Sequence, residues 1–154
     1  MAIPLNPPNF YGHQHHAEWF EDRKQIIKDM SSLISTSIRK LGLQKKDVSL
    51  VGTGMSGAMS VPLISHYSKI PFALIRHAGE RTVIYNSKPL VGEARSKVIF
   101  IDDLIATSGT LCRVFRILKQ HNLELVGAIT LESYSDDKIV LSMKKEIPVW
   151  TLGC

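Results

Sequence analysis

Two adjacent carboxylates, Asp102 and Asp103, follow the short apolar run Val98–Ile101. The run predicts a buried strand, and the helical spacing of residues 110–120 predicts a helix soon after it. Ligands of open α/β sheets bind at the carboxyl ends of strands, where carboxylates can accept hydrogen bonds from sugar hydroxyls. We therefore expect the two acids to lie just beyond the strand, facing solvent, and to bind two ribose hydroxyls. The alternative is that they only cap the helix.

The turn between this strand and the helix consists of small and hydroxyl-bearing residues, namely Ala106, Thr107, Ser108, Gly109 and Thr110. A helix N-terminus presents free backbone N–H groups and a partial positive charge, and small residues let a phosphate approach them closely. The hydroxyl groups add further hydrogen-bond donors. The turn is therefore predicted to bind the 5-phosphate of a sugar phosphate.

Two further segments with candidate chemistry follow earlier apolar runs. Val48–Val51 predicts a strand, and the glycine-rich segment Gly52–Gly57 after it fits either an anion-binding loop or a simple strand–helix turn. Phe72–Ile75 predicts the next strand, with Arg76 at its end. Residues 77–96 are polar and predict a long loop or a weak hairpin, and a loop of that length in a compact domain is usually functional or disordered.

The elements that must position these residues alternate along the chain. Helices are expected over residues 17–42, 56–67 and 110–120, and strands over residues 48–51, 72–75, 98–101, 125–131 and 149–152. Pro62 is placed in the first turn of the second helix, on the assumption that this helix begins late. The third helix has four residues spaced for burial, Leu111, Val114, Phe115 and Leu118. The alternation predicts an α/β fold, with one domain and a mainly parallel sheet flanked by helices.

Composition limits the class of protein. The chain has 154 residues, 44% hydrophobic and 21% charged, which suits one soluble domain. Residues 1–20 lack the features of a secretion signal, and no stretch is long enough to span a bilayer, so a cytoplasmic location is expected. Cys112 and Cys154 indicate neither a disulfide framework nor a zinc site. The net charge of +5 favours anionic partners, but the lack of dense basic blocks makes nucleic acid the weaker expectation.

The complete segment Val98–Thr110 resembles the phosphoribosyl pyrophosphate (PRPP) motif of type I phosphoribosyltransferases. That motif has an apolar strand, two acids, two apolar residues and a Thr–Gly-rich turn in this order. The resemblance extends over roughly residues 46–131 and implies the type I phosphoribosyltransferase fold, with these residues as its core. It also implies a small hood over the site, made by the irregular arm 1–16, the helix 17–42 and the segment 146–154. Asp102 and Asp103 would bind the ribose hydroxyls.

The same resemblance implies roles for the other segments. The loop after the first predicted strand would hold pyrophosphate through its backbone N–H groups. In this chain these are the N–H groups of Thr53, Gly54, Met55, Ser56 and Gly57. Arg76 would add positive charge beside it. Mg²⁺ would be held mainly by diphosphate oxygens and water, so no metal site built from side chains is expected. Trp150 is either a core residue or a ring that stacks on the base.

The implied activity is that of a Mg²⁺-dependent phosphoribosyltransferase, which joins a nucleobase to PRPP and releases pyrophosphate. Residues 102–107 resemble adenine-type members, whereas the interval from Arg76 to Asp102 resembles orotate-type members, so the base is left open. The alternative is a PRPP- or nucleotide-sensing regulatory protein on the same fold. Members of the family often dimerise, so a homodimer is also expected from the resemblance.

Overall fold

The computed structural model describes residues 23–76, 90–105, 109–133, 138–141 and 145–152. This part of the chain contains three α-helices, α1 (Arg23–Lys40), α2 (Gly54–Ser68) and α3 (Gly109–Gln120), and a 3₁₀ turn at Lys45–Asp47. Its strands are β1 (Val48–Thr53), β2 (Phe72–Ile75), β3 (Leu90–Gly92), β4 (Lys97–Ile105), β5 (Glu124–Ser133), β6 (Lys138–Leu141) and β7 (Lys145–Thr151).

The strands form one sheet in the order β3-β2-β1-β4-β5-β7-β6. The five inner strands, β2, β1, β4, β5 and β7, are parallel to one another. The two edge strands are antiparallel, β3 to β2 and β6 to β7. The predicted α/β fold with a mainly parallel sheet is therefore confirmed. Because β1 and β4 are parallel neighbours at the centre, the segments that follow them lie at the same edge of the sheet.

Helices cover both faces of this sheet. Alternating residues of β4 belong to two apolar clusters, Val98 and Phe100 to the cluster of α3, and Ile99 and Ile101 to the cluster of α1 and α2. The four residues of α3 that were spaced for burial are all buried, as predicted. Burial on both faces explains why the inner strands are continuous apolar runs.

Two expectations about the elements are wrong. The strand predicted to end at Ile101 runs through both acids to Ile105, because β5 continues to pair with it beyond the last β1 partner, Phe100. Pro62 lies in the interior of α2, because this helix begins at Gly54 rather than close to the proline. Proline lacks an N–H, so the helix forgoes one backbone hydrogen bond there.

The ends of the chain and the polar stretch are described in part. The N-terminal helix extends over Arg23–Lys40 within its predicted 17–42, and Gly42 follows it with φ 69°. The arm 1–16 and residues 17–22 lie outside the described residues, as do residues 77–89. Residues 90–92, within the stretch predicted as a long loop or a weak hairpin, form the edge strand β3, which pairs antiparallel with β2. None of the described helices is long and apolar enough to cross a membrane.

Candidate functional site

The first turn of α2 contacts strand β4 at the carboxyl edge of the sheet. The Ser56 hydroxyl, in the first turn of α2, donates a hydrogen bond of 3.1 Å to Oδ1 of Asp102 on β4. This bond joins residues 46 positions apart in the chain. The structure thus brings the segment predicted to hold pyrophosphate against the acids predicted to hold ribose. The sequence alone did not indicate the Ser56–Asp102 contact, because the neighbouring order of β1 and β4 is a property of the fold.

The glycines of the β1–α2 turn allow its close geometry. A Cβ on Gly57 would lie 2.8 Å from the carbonyl carbon of Gly52, and a Cβ on Gly52 would lie 2.6 Å from a methyl carbon of Val61. Gly54 has φ 67°, a conformation that residues with a side chain rarely adopt. The turn therefore requires glycine at three positions, and the first helical turn packs directly on the end of the strand.

Backbone donors of this turn are available because a helix N-terminus leaves its first N–H groups without partners inside the helix. Gly54, Met55, Ser56 and Gly57 form that first turn. Thr53 precedes it as the N-cap, but its buried hydroxyl donates to the Ile75 carbonyl oxygen at 2.9 Å. The Thr53 side chain thus fixes the end of β1 to the end of β2. Its hydroxyl proton is already used within the protein.

Arg76 follows directly after β2 and its side chain is exposed. The register pairs Thr53 with Ile75, so Arg76 leaves the sheet at the same edge as the β1–α2 turn. An exposed guanidinium at this edge can approach an anion held by the backbone of the turn. Its predicted role toward pyrophosphate stays a prediction.

The two acids are less exposed than the sequence suggested. Asp103 is buried with 7% of its surface exposed, and Asp102 is half-buried, so the expectation of a solvent-facing strand end is wrong. The physical reason is that β4 extends past Ile101 beside β5, which places both acids within a paired strand. Oδ1 of Asp102 accepts a second hydrogen bond, from the Asp103 backbone N–H, at 2.9 Å.

The surroundings of Asp102 favour its protonated form. Burial, followed by the side-chain hydrogen bond and the charge of Asp103, raises the pKa of Asp102 from 3.8 to about 8. The hydrogen bonds that Asp102 accepts from the Asp103 N–H and from Ser56 act in the opposite direction. Because hydroxyl donors or a cation favour the ionised carboxylate, a ligand of this kind would bind with release of a proton.

The turn predicted to hold the 5-phosphate is described only at its end. Ala106, Thr107 and Ser108 lie outside the described residues. Gly109 and Thr110 are exposed and begin α3, which leaves their backbone N–H groups without partners inside the helix. The phosphate-binding role of the complete turn stays a prediction.

Trp150 lies on β7 and packs against the cluster formed with α1 and α2. Its ring covers Gly127 so closely that a Cβ there would lie 2.5 Å from a ring carbon. Trp150 pairs with Ile129, so a ring over Gly127 lies back toward the amino end of β5. The contact gives Trp150 a packing role in the core. Its stacking on a base, and the hood formed by residues 146–154, stay predictions.

A divalent metal has few side-chain ligands at this edge. Among the residues that the structure describes, no group of three or more His, Cys, Asp or Glu side chains is placed to hold a metal ion. Mg²⁺ commonly binds through one or two carboxylates together with substrate phosphates and water. The pair Asp102 and Asp103 fits that mode of binding, in which the substrate brings most of the ligands.

Comparison with known proteins agrees with this geometry. The family model for the phosphoribosyl transferase domain matches residues 16–152. The orotate phosphoribosyltransferase of Bacillus caldolyticus is 28% identical over 133 residues, which are 84% of this chain and 60% of that protein. The hypoxanthine/guanine phosphoribosyltransferase of Methanocaldococcus jannaschii is 27% identical over 131 residues, which are 77% of this chain and 72% of that protein.

A solved structure shows the same fold. The adenine phosphoribosyltransferase of Trypanosoma brucei, in complex with AMP, pyrophosphate and ribose-5-phosphate, aligns with a TM-score of 0.57 at 18% identity. The alignment covers 86% of this chain and 65% of that protein. The chain spans 60% or less of the length of the first orotate relatives.

Proposed function

Since this chain belongs to the phosphoribosyl transferase domain family, we propose that it joins a nucleobase to PRPP and releases pyrophosphate. The observation that carries the proposal is the contact between Ser56 and Asp102, which places a helix N-terminus beside two carboxylates. PRPP carries a ribose between two phosphate groups, so it needs donors for the phosphates and acceptors for the ribose hydroxyls. The carboxyl edge combines both kinds of group.

The proposed roles follow from position. Asp102 and Asp103 accept hydrogen bonds from the ribose hydroxyls, and the 106–110 turn holds the 5-phosphate. The backbone N–H groups of the 53–57 segment, with Arg76, hold pyrophosphate as it leaves. Catalysis then rests on orientation of the ribose and on stabilisation of the charge that develops on the leaving group.

We also propose that Mg²⁺ reaches the site together with the substrate. Bound to the diphosphate oxygens, it would neutralise the charge of the leaving group. Asp102 and Asp103 are the described residues at this edge that fit it, since carboxylates are ligands that Mg²⁺ prefers. A homodimer and a cytoplasmic location also remain predictions.

The relatives act on different bases, so the nucleobase is left open. Orotate and hypoxanthine/guanine enzymes are both similar in sequence, and an adenine enzyme is similar in fold. A turnover assay with labelled PRPP, Mg²⁺ and adenine, hypoxanthine, guanine or orotate tests the proposal. We expect one base to yield a labelled nucleotide and pyrophosphate.

The assay needs two variants. Asp103→Asn should remove turnover, because it neutralises a carboxylate that would accept a ribose hydroxyl. Asp47→Asn is the matched control, since Asp47 lies in the 3₁₀ turn before β1, at the opposite edge of the sheet. PRPP binding without turnover on any base would refute the enzymatic proposal and favour the PRPP-sensing alternative.

A further inference from the structure

Ser56 occupies a position where its side chain and its backbone face different partners. The side chain is 6% exposed, and its hydroxyl donates to Oδ1 of Asp102. The backbone N–H belongs to the first turn of α2 and has no partner inside the helix. The hydroxyl is therefore turned toward the acids, while the N–H stays available to an anion.

The backbone that carries Ser56 is held firmly. The close approach of Gly57 to Gly52 fixes the first turn of α2 on β1. The Ser56 carbonyl oxygen also accepts a hydrogen bond of 2.6 Å from the buried Ser60 hydroxyl. A hydroxyl on such a fixed backbone can restrain its partner, because the partner cannot move without breaking the bond.

Two hydrogen bonds to the Asp102 carboxylate converge on one of its oxygens. Oδ1 accepts both the Ser56 hydroxyl and the Asp103 N–H, at 3.1 and 2.9 Å. These two bonds fix Oδ1 between the first turn of α2 and the backbone of β4. A carboxylate held through one oxygen has a fixed plane, so the direction of its other oxygen is also fixed.

We infer that Ser56 is a positioning residue, which fixes the plane of the Asp102 carboxylate for the ribose and ties the pyrophosphate turn to the ribose acids. The inference rests on the proposed function, because it names how one residue serves the same site. The hydroxyl also favours the ionised carboxylate that a ribose hydroxyl requires. Asp103 is the other titratable group in contact with Asp102.

Three variants test this role. Ser56→Ala removes the hydroxyl, and Ser56→Thr restores one at the same position. Ser65→Ala is the matched control, because Ser65 lies on the same helix and donates to the Ile70 carbonyl oxygen at 2.6 Å, at the far end from the site. The first measurement is the free energy of unfolding in urea, which reports any general loss of structure. The second is the affinity for PRPP, with Mg²⁺, by calorimetry at neutral pH.

We expect Ser56→Ala to lower PRPP affinity at neutral pH on the order of 10-fold, since a hydrogen bond that orients the Asp102 carboxylate is lost. Ser56→Thr should recover most of this affinity. Ser65→Ala should bind PRPP like wild type, although it also loses a hydrogen bond of the same helix. A merely structural role would lower stability in both alanine variants and leave PRPP affinity in place.

Failure of the positioning role and failure of the proposed function give different results. Unchanged PRPP affinity in Ser56→Ala, or no recovery in Ser56→Thr, overturns the positioning role when the wild-type protein binds PRPP. A wild-type protein that binds no PRPP overturns the proposed function, whatever the stability of the variants.

Discussion

Asp102→Asn should stabilise the ligand-free protein at high pH. The carboxyl has its pKa raised from 3.8 to about 8 in the folded state, whereas in the unfolded chain it titrates near its ordinary value. Between these two pH values the folded protein binds more protons than the unfolded chain, so stability falls as pH rises. Asparagine carries no charge, and its amide oxygen can still accept from Ser56 and from the Asp103 N–H.

The magnitude follows from the size of the shift. Each pKa unit is worth about 1.4 kcal/mol, so the full shift sets an upper limit of roughly 6 kcal/mol above pH 8. Asp102 is half-buried, and solvent screens part of the cost, so we expect a gain of about 3 kcal/mol for Asp102→Asn at pH 9. At pH 5 the folded carboxyl is still protonated, but the unfolded one, with its pKa near 3.8, is already mostly ionised, so the variant should gain only about 1.5 kcal/mol there.

Urea unfolding of both proteins at pH 5 and pH 9 measures this difference directly, with Asp47→Asn as the control. Titrating groups distant from Asp102 are common to the wild type and Asp102→Asn and cancel in that comparison. An equal free energy of unfolding for Asp102→Asn and wild type at pH 9 would refute the claim that the ionised carboxyl is costly. A variant that is less stable at pH 9 would show instead that the charge stabilises the fold.

Three further predictions concern the carboxyl edge. Gly57→Ala should lower the free energy of unfolding by about 1–3 kcal/mol, because a Cβ would meet the Gly52 backbone; chemical denaturation checks this, and an unchanged midpoint would contradict it. Thr53→Val should lower the free energy of unfolding by about 1 kcal/mol, because the hydrogen bond to Ile75 is lost, but should retain PRPP affinity. A sharp fall in PRPP affinity by calorimetry would contradict this prediction. Arg76→Ala should leave stability within about 0.5 kcal/mol of wild type, because the side chain is exposed, and should weaken pyrophosphate binding several-fold; equal pyrophosphate affinity would remove Arg76 from the site.

Local pattern was sufficient for the elements whose burial follows a simple period. Helix α3 and its buried residues follow from spacing alone, because an apolar stripe every three or four residues has one stable placement against a sheet. Strand β2 has the predicted bounds, Phe72–Ile75. The α/β class followed from the alternation of these elements, which leaves few arrangements that bury every apolar run.

Other features depend on tertiary pairing and were not readable from local pattern. The extension of β4 through Asp102 and Asp103 depends on β5, which supplies partners for two residues of a type that rarely favours strands. Strand β6 was not predicted, because a four-residue edge strand gains its structure from pairing with β7. The Ser56–Asp102 contact depends on β1 and β4 being neighbours, which the order of elements in the chain does not state.

The PRPP motif allowed the acids to be found before their environment was known. Asp102 and Asp103 stood out because carboxylates after an apolar run, followed by a small-residue turn, are an uncommon combination. Their burial and the raised pKa of Asp102 depend on side chains that are distant in the chain. The sequence therefore indicated the two acids, and the fold sets the surroundings that raise the pKa of Asp102.

Calorimetric titration of PRPP, with Mg²⁺, into wild type and into the double variant Asp102→Asn, Asp103→Asn tests the central claim most directly. We predict saturable binding to wild type at pH 9 and a loss on the order of 100-fold or more in the double variant, since two charged acceptors are removed. Equal binding to both proteins would contradict the assignment of the ribose to these acids.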